Sequence, residues 1–412
     1  MPEAVIVSTA RSPIGRAFKG SLKDERPDDL AAAMVSAALA KLPAFDPTGD
    51  STPGLDDLYL GCAEPSGEAG SNMARVVTIL AGLDHVPAAT INRFCASSLQ
   101  TVRMAFHAIR AGEGQAFVAA GVEAVSRYQS WAGAGETDAG NHNPLFEPAR
   151  QRTTARAASN TPWTDPRLGG RMPDIYIAMG QTAENVATSY GISRADQDAW
   201  AVLSQNRAEA AIASGFYARE ITPYRRRDGI VVDRDDSPRA GVTLEGVSAL
   251  EPVFRRGGTV TAGNACPLND GAAAVVIMSD SRARERGLEP LARIVSTGVS
   301  ALSPELMGMG PVESTRRALA SAGLTIGDID LVELNEAFAV QVVASARELG
   351  IDSAKLNIHG GAIALGHPFG MTGARMTATL LNGLRETDGT LGLATLCVGG
   401  GQGMAVVLER LS

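Results

Sequence analysis

The stretch Ile6-Val7-Ser8-Thr9-Ala10 returns far along the chain as Ile294-Val295-Ser296-Thr297-Gly298. Both read as short apolar strands. A helical pattern follows each, over residues 29–41 with Leu30, Met34, Ala37, Ala38 and Leu39 at helical spacing, and over residues 312–322. Each helix leads to an Asp-Leu strand: Asp57-Leu58-Tyr59-Leu60-Gly61 in one case, Asp330-Leu331-Val332-Glu333-Leu334 in the other. Each half then offers a Gly- or Cys-bearing turn and a long helix. Four features in one order predict a duplicated α/β unit rather than a chance likeness of strands. Strands that alternate with helices predict a largely parallel sheet covered on both faces.

Between the copies, roughly over residues 126–250, lies a region rich in Gly, Pro, Asn, Thr and Arg. It holds a helical pattern near 182–189 that resumes after Gly191 over 194–214. Residues 150–256 carry 15 Arg, no Lys and 13 Asp and Glu, a net charge of +2 inside a chain of net charge −8. That balance suits an anionic ligand, and a solvated surface of mixed charge explains it equally well. The acidic whole argues against gripping a nucleic-acid backbone. No apolar run reaches the roughly 20 residues of a membrane span. The four cysteines lie far apart and form no CxxC pair, against a zinc site or a disulfide framework. With no basic leader and no retention signal, these features predict a reduced cytoplasmic enzyme.

Cys95 stands where a strand over residues 88–94 meets a helix over residues 97–110. At a helix N-terminus, free N–H groups and the dipole favour a thiolate. A buried, inert cysteine is an equal reading of that position. Cys397 follows a strand over 391–396 and precedes Val398-Gly399-Gly400-Gly401-Gln402-Gly403. Such a run lets backbone N–H groups approach a ligand oxygen, or simply turns the chain. His367 is fixed between Gly366 and Pro368, ahead of a helix over 371–386. In the duplicated frame that turn matches the one holding Cys95. Asn335 ends the second Asp-Leu strand. Capping a helix over 336–349 is the leading reading of its amide, and holding a water or a substrate oxygen is the other. His359 reads first as a structural hydrogen-bond partner.

Together the motifs resemble one family. Asn92-Arg93-Phe94-Cys95-Ala96-Ser97-Ser98, Asn335-Glu336-Ala337-Phe338, Gly366-His367-Pro368 and Cys397-Val398-Gly399 look like the four signature loops of the thiolases, in order. Met179-Gly180-Gln181-Thr182-Ala183-Glu184-Asn185, Thr259-Val260-Thr261-Ala262-Gly263-Asn264 and Leu268-Asn269-Asp270-Gly271 also match, so the likeness spans about residues 3–411. The resemblance implies an α/β fold of two duplicated βαβαβαββ halves in a five-layer α-β-α-β-α arrangement with an inserted loop domain. The halves would be residues 1–125 plus 251–285 and residues 286–412, with a CoA-binding insertion over 126–250.

The same resemblance implies roles. Cys95 is the nucleophile that becomes acylated, His367 takes its proton, and Cys397 moves the proton at the α-carbon of acetyl-CoA. Asn335 holds a water which, with His367, forms one oxyanion hole; the N–H groups of Cys95 and Gly399 form the other. Arg239, Leu250, Phe254, Ala262, Cys266, Met179, Ala178 and Phe338 match positions that bind substrate or CoA, with Cys266 as a small lining residue. No metal and no cofactor is implied, since CoA is a substrate. The implied activity is thiolysis of 3-oxoacyl-CoA to acetyl-CoA and a shortened acyl-CoA, or the reverse condensation, by a homo-oligomer (dimer or tetramer). An acetyl-CoA acetyltransferase confined to acetoacetyl-CoA is the alternative. Against it, Ala178 stands where such enzymes usually carry a histidine lining a short acyl pocket. A non-catalytic acyl-CoA-binding relative would lack Cys95, Cys397 or His367.

Overall fold

The structure, a computed structural model, describes residues 2–47, 54–128, 142–159 and 161–412. Residues 129–141 and 160 of the expected insertion lie outside the described residues.

Nine main strands carry the fold. In chain order they are β1 (Ala4–Arg11), β2 (Asp57–Gly61), β3 (Ala88–Ile91), β4 (Ala116–Ala124), β5 (Asn269–Ser279), β6 (Ala292–Ala301), β7 (Leu331–Leu334), β8 (Leu391–Val398) and β9 (Gln402–Arg410). A short strand, Gly15–Arg16, is added on β5. The order across the sheet is β7-β8-β9-β6-β1-β5-β4-β2-β3.

That order is a duplication. In the first half β1/β5 and β5/β4 are antiparallel, and β4/β2 and β2/β3 parallel. In the second half β6/β9 and β9/β8 are antiparallel and β8/β7 parallel. A parallel bridge from Val332 to Leu356 stands where β3 stands in the first half. The echoed segments are β1 and β6. They adjoin, antiparallel, over only two residue pairs: Val5 with Arg293 and Ile6 with Ala292.

Alternation along the strands builds the layers. In β4, Phe117 and Ala119 face the helix Ser97–Ala111, while Val118, Ala120 and Val122 join the core under the helix Pro27–Ala40. In β9, Met404, Val406 and Leu408 face that same central core, while Ala405 and Val407 pack outward with Leu319 of the helix Gly310–Ala322. The helices Ser97–Ala111 and Thr372–Thr387 therefore form a middle layer between two sheets, and five layers result. They approach closely. A Cβ on Gly373 would lie 2.3 Å from the Leu99 nitrogen, and Ala374 N–H donates to Ser98 Oγ at 2.9 Å. Between β4 and β5 the chain adds the helices Glu147–Ser159, Met179–Tyr190 and Arg194–Ala213. The last opens on a capping box of Ser193 and Asp196.

Candidate active site

Strand β3 ends at Ile91, three residues earlier than its sequence predicts. Asn92 takes over: its Oδ1 accepts from Phe94 N–H at 2.8 Å and its amide donates to Ala63 O at 3.0 Å. Phe94 then adopts φ +43°, a left-handed conformation that costs a bulky residue free energy. Cys95 follows in the tight turn Phe94–Ala96, half-buried, immediately before the helix Ser97–Ala111. Burial pushes its thiol up to about 12 and Glu123 adds to the effect; hydrogen bonds from Gly399 N–H and from its own N–H oppose it. The helix N-terminus was expected to favour the thiolate, but loss of hydration outweighs it. The sulfur rests as a thiol and needs a base.

His367 can be that base. Its backbone N–H donates to Asn269 Oδ1 at 3.0 Å. Gly366 before it has φ +113°, and a Cβ there would lie 2.5 Å from the Asn269 amide carbon, so only glycine fits. The ring Nδ1 sits 2.7 Å from Thr372 Oγ1, whose own proton goes to Pro368 O at 2.7 Å. Nδ1 is therefore the N–H of the neutral ring, and Nε2 keeps its lone pair. Burial, then the nearby Arg375 charge, lowers the imidazole to about 3, so it is uncharged near neutral pH.

Asn335 does not cap a helix. The next helix, Ala339–Leu349, starts four residues later with Phe338 at its N-cap position. The Asn335 amide instead faces His367 Nε2 at 3.2 Å, and its Oδ1 is buried without a protein partner. A buried amide oxygen is costly unless a donor reaches it, which fits a held water. Glu336 locks the loop, accepting from Trp200, Ser204, Asn357 and the Ile363 N–H.

Cys397 lies within β8, opposite Gly403, rather than after the strand. Burial raises its thiol well above the ordinary range, and Cys95 and Cys266 add to the shift. Cys266 is raised by burial and by Cys95, and its N–H donates to Ala337 O at 3.1 Å. Three thiols thus gather where the two halves meet.

A groove of about 300 Å³ approaches this cluster. Arg239, Leu250 and Ala262 line it as expected, together with Arg16, Val247 and Ala265, the neighbour of Cys266. Neither Arg16 nor Arg239 makes an ion pair with a described residue. Phe254, Phe338, Met179, Ala178 and Cys266 are not part of its lining. Phe254 meets Phe338 edge-on at 6.0 Å, and Met179 and Phe338 pack in the core that holds Cys397. Ala178 is exposed at the start of the helix Met179–Tyr190. Phe146 meets Tyr176 edge-on and Phe369 meets His367 edge-on. His359 pairs with Glu386 at 2.6 Å and stacks on Phe216, a structural role. Arg16, Asn269 and Thr372 had no assigned role in the sequence reading. Only Asn269 had a signal there, inside the quoted Leu268-Asn269-Asp270-Gly271 motif.

Comparison with known proteins decides the family. The profile described as "Thiolase, N-terminal domain" matches residues 4–281 and "Thiolase, C-terminal domain" matches residues 288–410. This chain belongs to the thiolase family. It is 41% identical to the 3-ketoacyl-CoA thiolase of Bacillus subtilis, covering 99% of this chain and all of that one. It is 43% identical to the acetyl-CoA acetyltransferase of Escherichia coli, covering all of both chains. With the beta-ketoadipyl-CoA thiolase of Pseudomonas aeruginosa identity is 43% over 99% of each. The crystal structure of the Bacillus anthracis acetyl-CoA acetyltransferase superposes with a TM-score of 0.84 at 37% identity, over 100% of this chain and 99% of that one. Human mitochondrial 3-ketoacyl-CoA thiolase gives the same TM-score at 35% identity and the same coverage. Like other thiolases, the protein is an acyltransferase that acts on acyl-CoA and CoA. No helix among its described residues is long and apolar enough to cross a membrane.

Proposed function

We propose that this thiolase cleaves 3-oxoacyl-CoA through an acyl group on Cys95, and runs the reverse condensation with the same residues. The observation that carries the reading is the approach of Gly399, from the second half, to the turn of the first that holds Cys95: the Cβ position of Gly399 lies 3.2 Å from the Phe94 ring, and its N–H favours the Cys95 thiolate. The Cys95 proton passes to His367 Nε2, and the thiolate adds to the 3-carbonyl. The developing oxyanion is held by preorganised donors. The C–C bond then breaks, and the acetyl-CoA enolate takes a proton from Cys397 while the water on Asn335 and His367 stabilise its oxygen. A CoA thiol then gives its proton to the Cys397 thiolate and adds to the acyl carbonyl, and Cys95 leaves and regains its proton from His367. The reaction needs acyl transfer and a carbanion, hence two sulfurs, and no metal or redox cofactor. Arg16 and Arg239 supply charge for the CoA phosphates.

Incubation with acetyl-CoA is expected to add one acetyl group, found by peptide mass on Cys95. A label on Cys397 or Cys266 overturns the assignment.

Three finer readings belong to the same proposal. Ala178 leaves room for acyl chains longer than that of acetoacetyl-CoA. The protein is a homo-oligomer: β3 is a half-buried sheet edge, beside a helix that exposes Val76, Ile79 and Leu80. Light scattering that finds a monomer removes that reading. Four free cysteines suit a reducing cytoplasm.

A further inference from the structure

The segment of residues 173–177 lies over the reactive loop. Ile175 Cδ1 is 3.4 Å from the Cβ position of Gly400, and Phe94 approaches the same point at 3.8 Å. Gly400 follows Gly399, whose Cβ position lies 3.2 Å from the Phe94 ring, and Phe94 precedes Cys95. Ile175 thus packs over the loop that approaches Phe94, the neighbour of Cys95.

This cover belongs to the insertion, and one residue of the second half holds it. Glu305 is 1% exposed, in the turn Pro304–Met309. Its Oε1 accepts from Asp174 N–H at 2.9 Å, next to Ile175. Its Oε2 accepts from Trp163 Nε1 at 2.6 Å, with Arg156 Nη1 at 3.5 Å. Its backbone carbonyl accepts from Asn185 Nδ2 at 3.0 Å, on the helix that starts beside Ala178. Asp174 and Trp163 thus meet on one buried carboxylate with Arg156 beside them, and Asn185 bonds the backbone carbonyl of the same residue. Such charge-assisted bonds, shielded from water, are the strong kind.

We propose that Glu305 is a specificity-determining positioning residue: it fixes Ile175 as the wall of the acyl site, so it sets how well the acyl chain beyond the first carbons is held. The proposal rests on acyl transfer at Cys95. It assigns Glu305 no contact with reacting atoms.

The test compares Glu305→Gln and Trp163→Phe with the native enzyme. Thiolysis is measured on acetoacetyl-, 3-oxohexanoyl- and 3-oxooctanoyl-CoA, and α-proton exchange of acetyl-CoA is followed in deuterated water. Glu305→Gln keeps one acceptor and loses the other. It should raise KM for the longer chains roughly tenfold, the scale of one charge-assisted hydrogen bond, with exchange unchanged. Trp163→Phe should act in the same direction, and the two effects should be less than additive, since Trp163 acts on Ile175 through Glu305. An unchanged chain-length profile in both variants overturns the proposal. So does a parallel fall of exchange and thiolysis, which marks a merely structural role, and so do additive effects. Trp163→Phe alone decides if Glu305→Gln does not fold. Failure of acyl transfer itself shows separately, as a native enzyme that takes no acetyl label on Cys95.

Discussion

The two halves reach their middle-layer helices by different turns. In the first, residues 92–96 separate β3 from the helix Ser97–Ala111, and Cys95 sits there half-exposed behind a left-handed Phe94. In the second, residues 357–371 separate the Leu356 bridge from the helix Thr372–Thr387, and His367 sits there buried, held at its backbone by Asn269 and at its ring by Thr372. A nucleophile needs a short, forced elbow that brings its sulfur to the substrate. A base needs an uncharged ring in one tautomer, which takes more chain and more partners. The strand ends differ in the same way. Glu123 of β4 is saturated by Ala63, Glu64, Gly370 and Tyr128, whereas Asn335 after β7 keeps a free oxygen. Duplication supplied two scaffolds, and the proposed mechanism draws most of its groups from the second.

The sharpest break is to remove one group from the second half. His367→Ala should slow acylation of Cys95 by about 10²–10⁴, the range for a lost acid–base group. Cys397→Ala should leave acylation intact and slow α-proton exchange by about the same factor. Stopped-flow acetylation and deuterium exchange separate the two. If both variants lose both reactions alike, the division of labour between these groups is wrong.

Thr372→Val tests whether the longer turn exists to fix a tautomer. It leaves the ring N–H without an acceptor, worth about 1–3 kcal/mol, so acylation should slow roughly 5- to 150-fold. Thr372→Ser should restore most of the rate. Equal damage from both variants would point to packing instead.

Titration probes the contrast directly. With Cys95 pushed up to about 12, its alkylation by iodoacetamide should climb about tenfold per pH unit from pH 7 to 9.5. His367 is lowered to about 3, so it stays neutral throughout, and no break should appear near pH 6.5. A plateau below pH 8 would mean a thiolate–imidazolium pair.

The smallest effect concerns chain length. Each further buried CH₂ contributes about 0.8 kcal/mol, roughly fourfold in kcat/KM, until the site is full. Ala178→His should shift preference back toward acetoacetyl-CoA. A native enzyme active on acetoacetyl-CoA alone removes the longer-chain reading.

The echo of β1 and β6 was legible because strand and helix periods survive in one sequence. Cys95, His367 and Cys397 were legible as candidates, each near a glycine, a proline or a helix start. Asn335 was legible as a residue, but not its use: a cap and a water holder look alike until the helix is seen to begin at Ala339. Which of the two readings of the Cys95 thiol holds was not legible, since a helix start is visible in sequence and burial is not. Thr372, Asn269 and Glu305 were out of reach as partners. Asn269 and His367 stand 98 residues apart, and Trp163 and Glu305 142 apart.

The seam between β1 and β6 spans only two residue pairs. The sheets are thus a weak gauge of how far one half stands from the other. The gauge is the contact of Gly373 on Leu99, where no side chain separates two helices. An absent methyl group thus limits how closely the two middle helices, and with them the turns of Cys95 and His367, can approach.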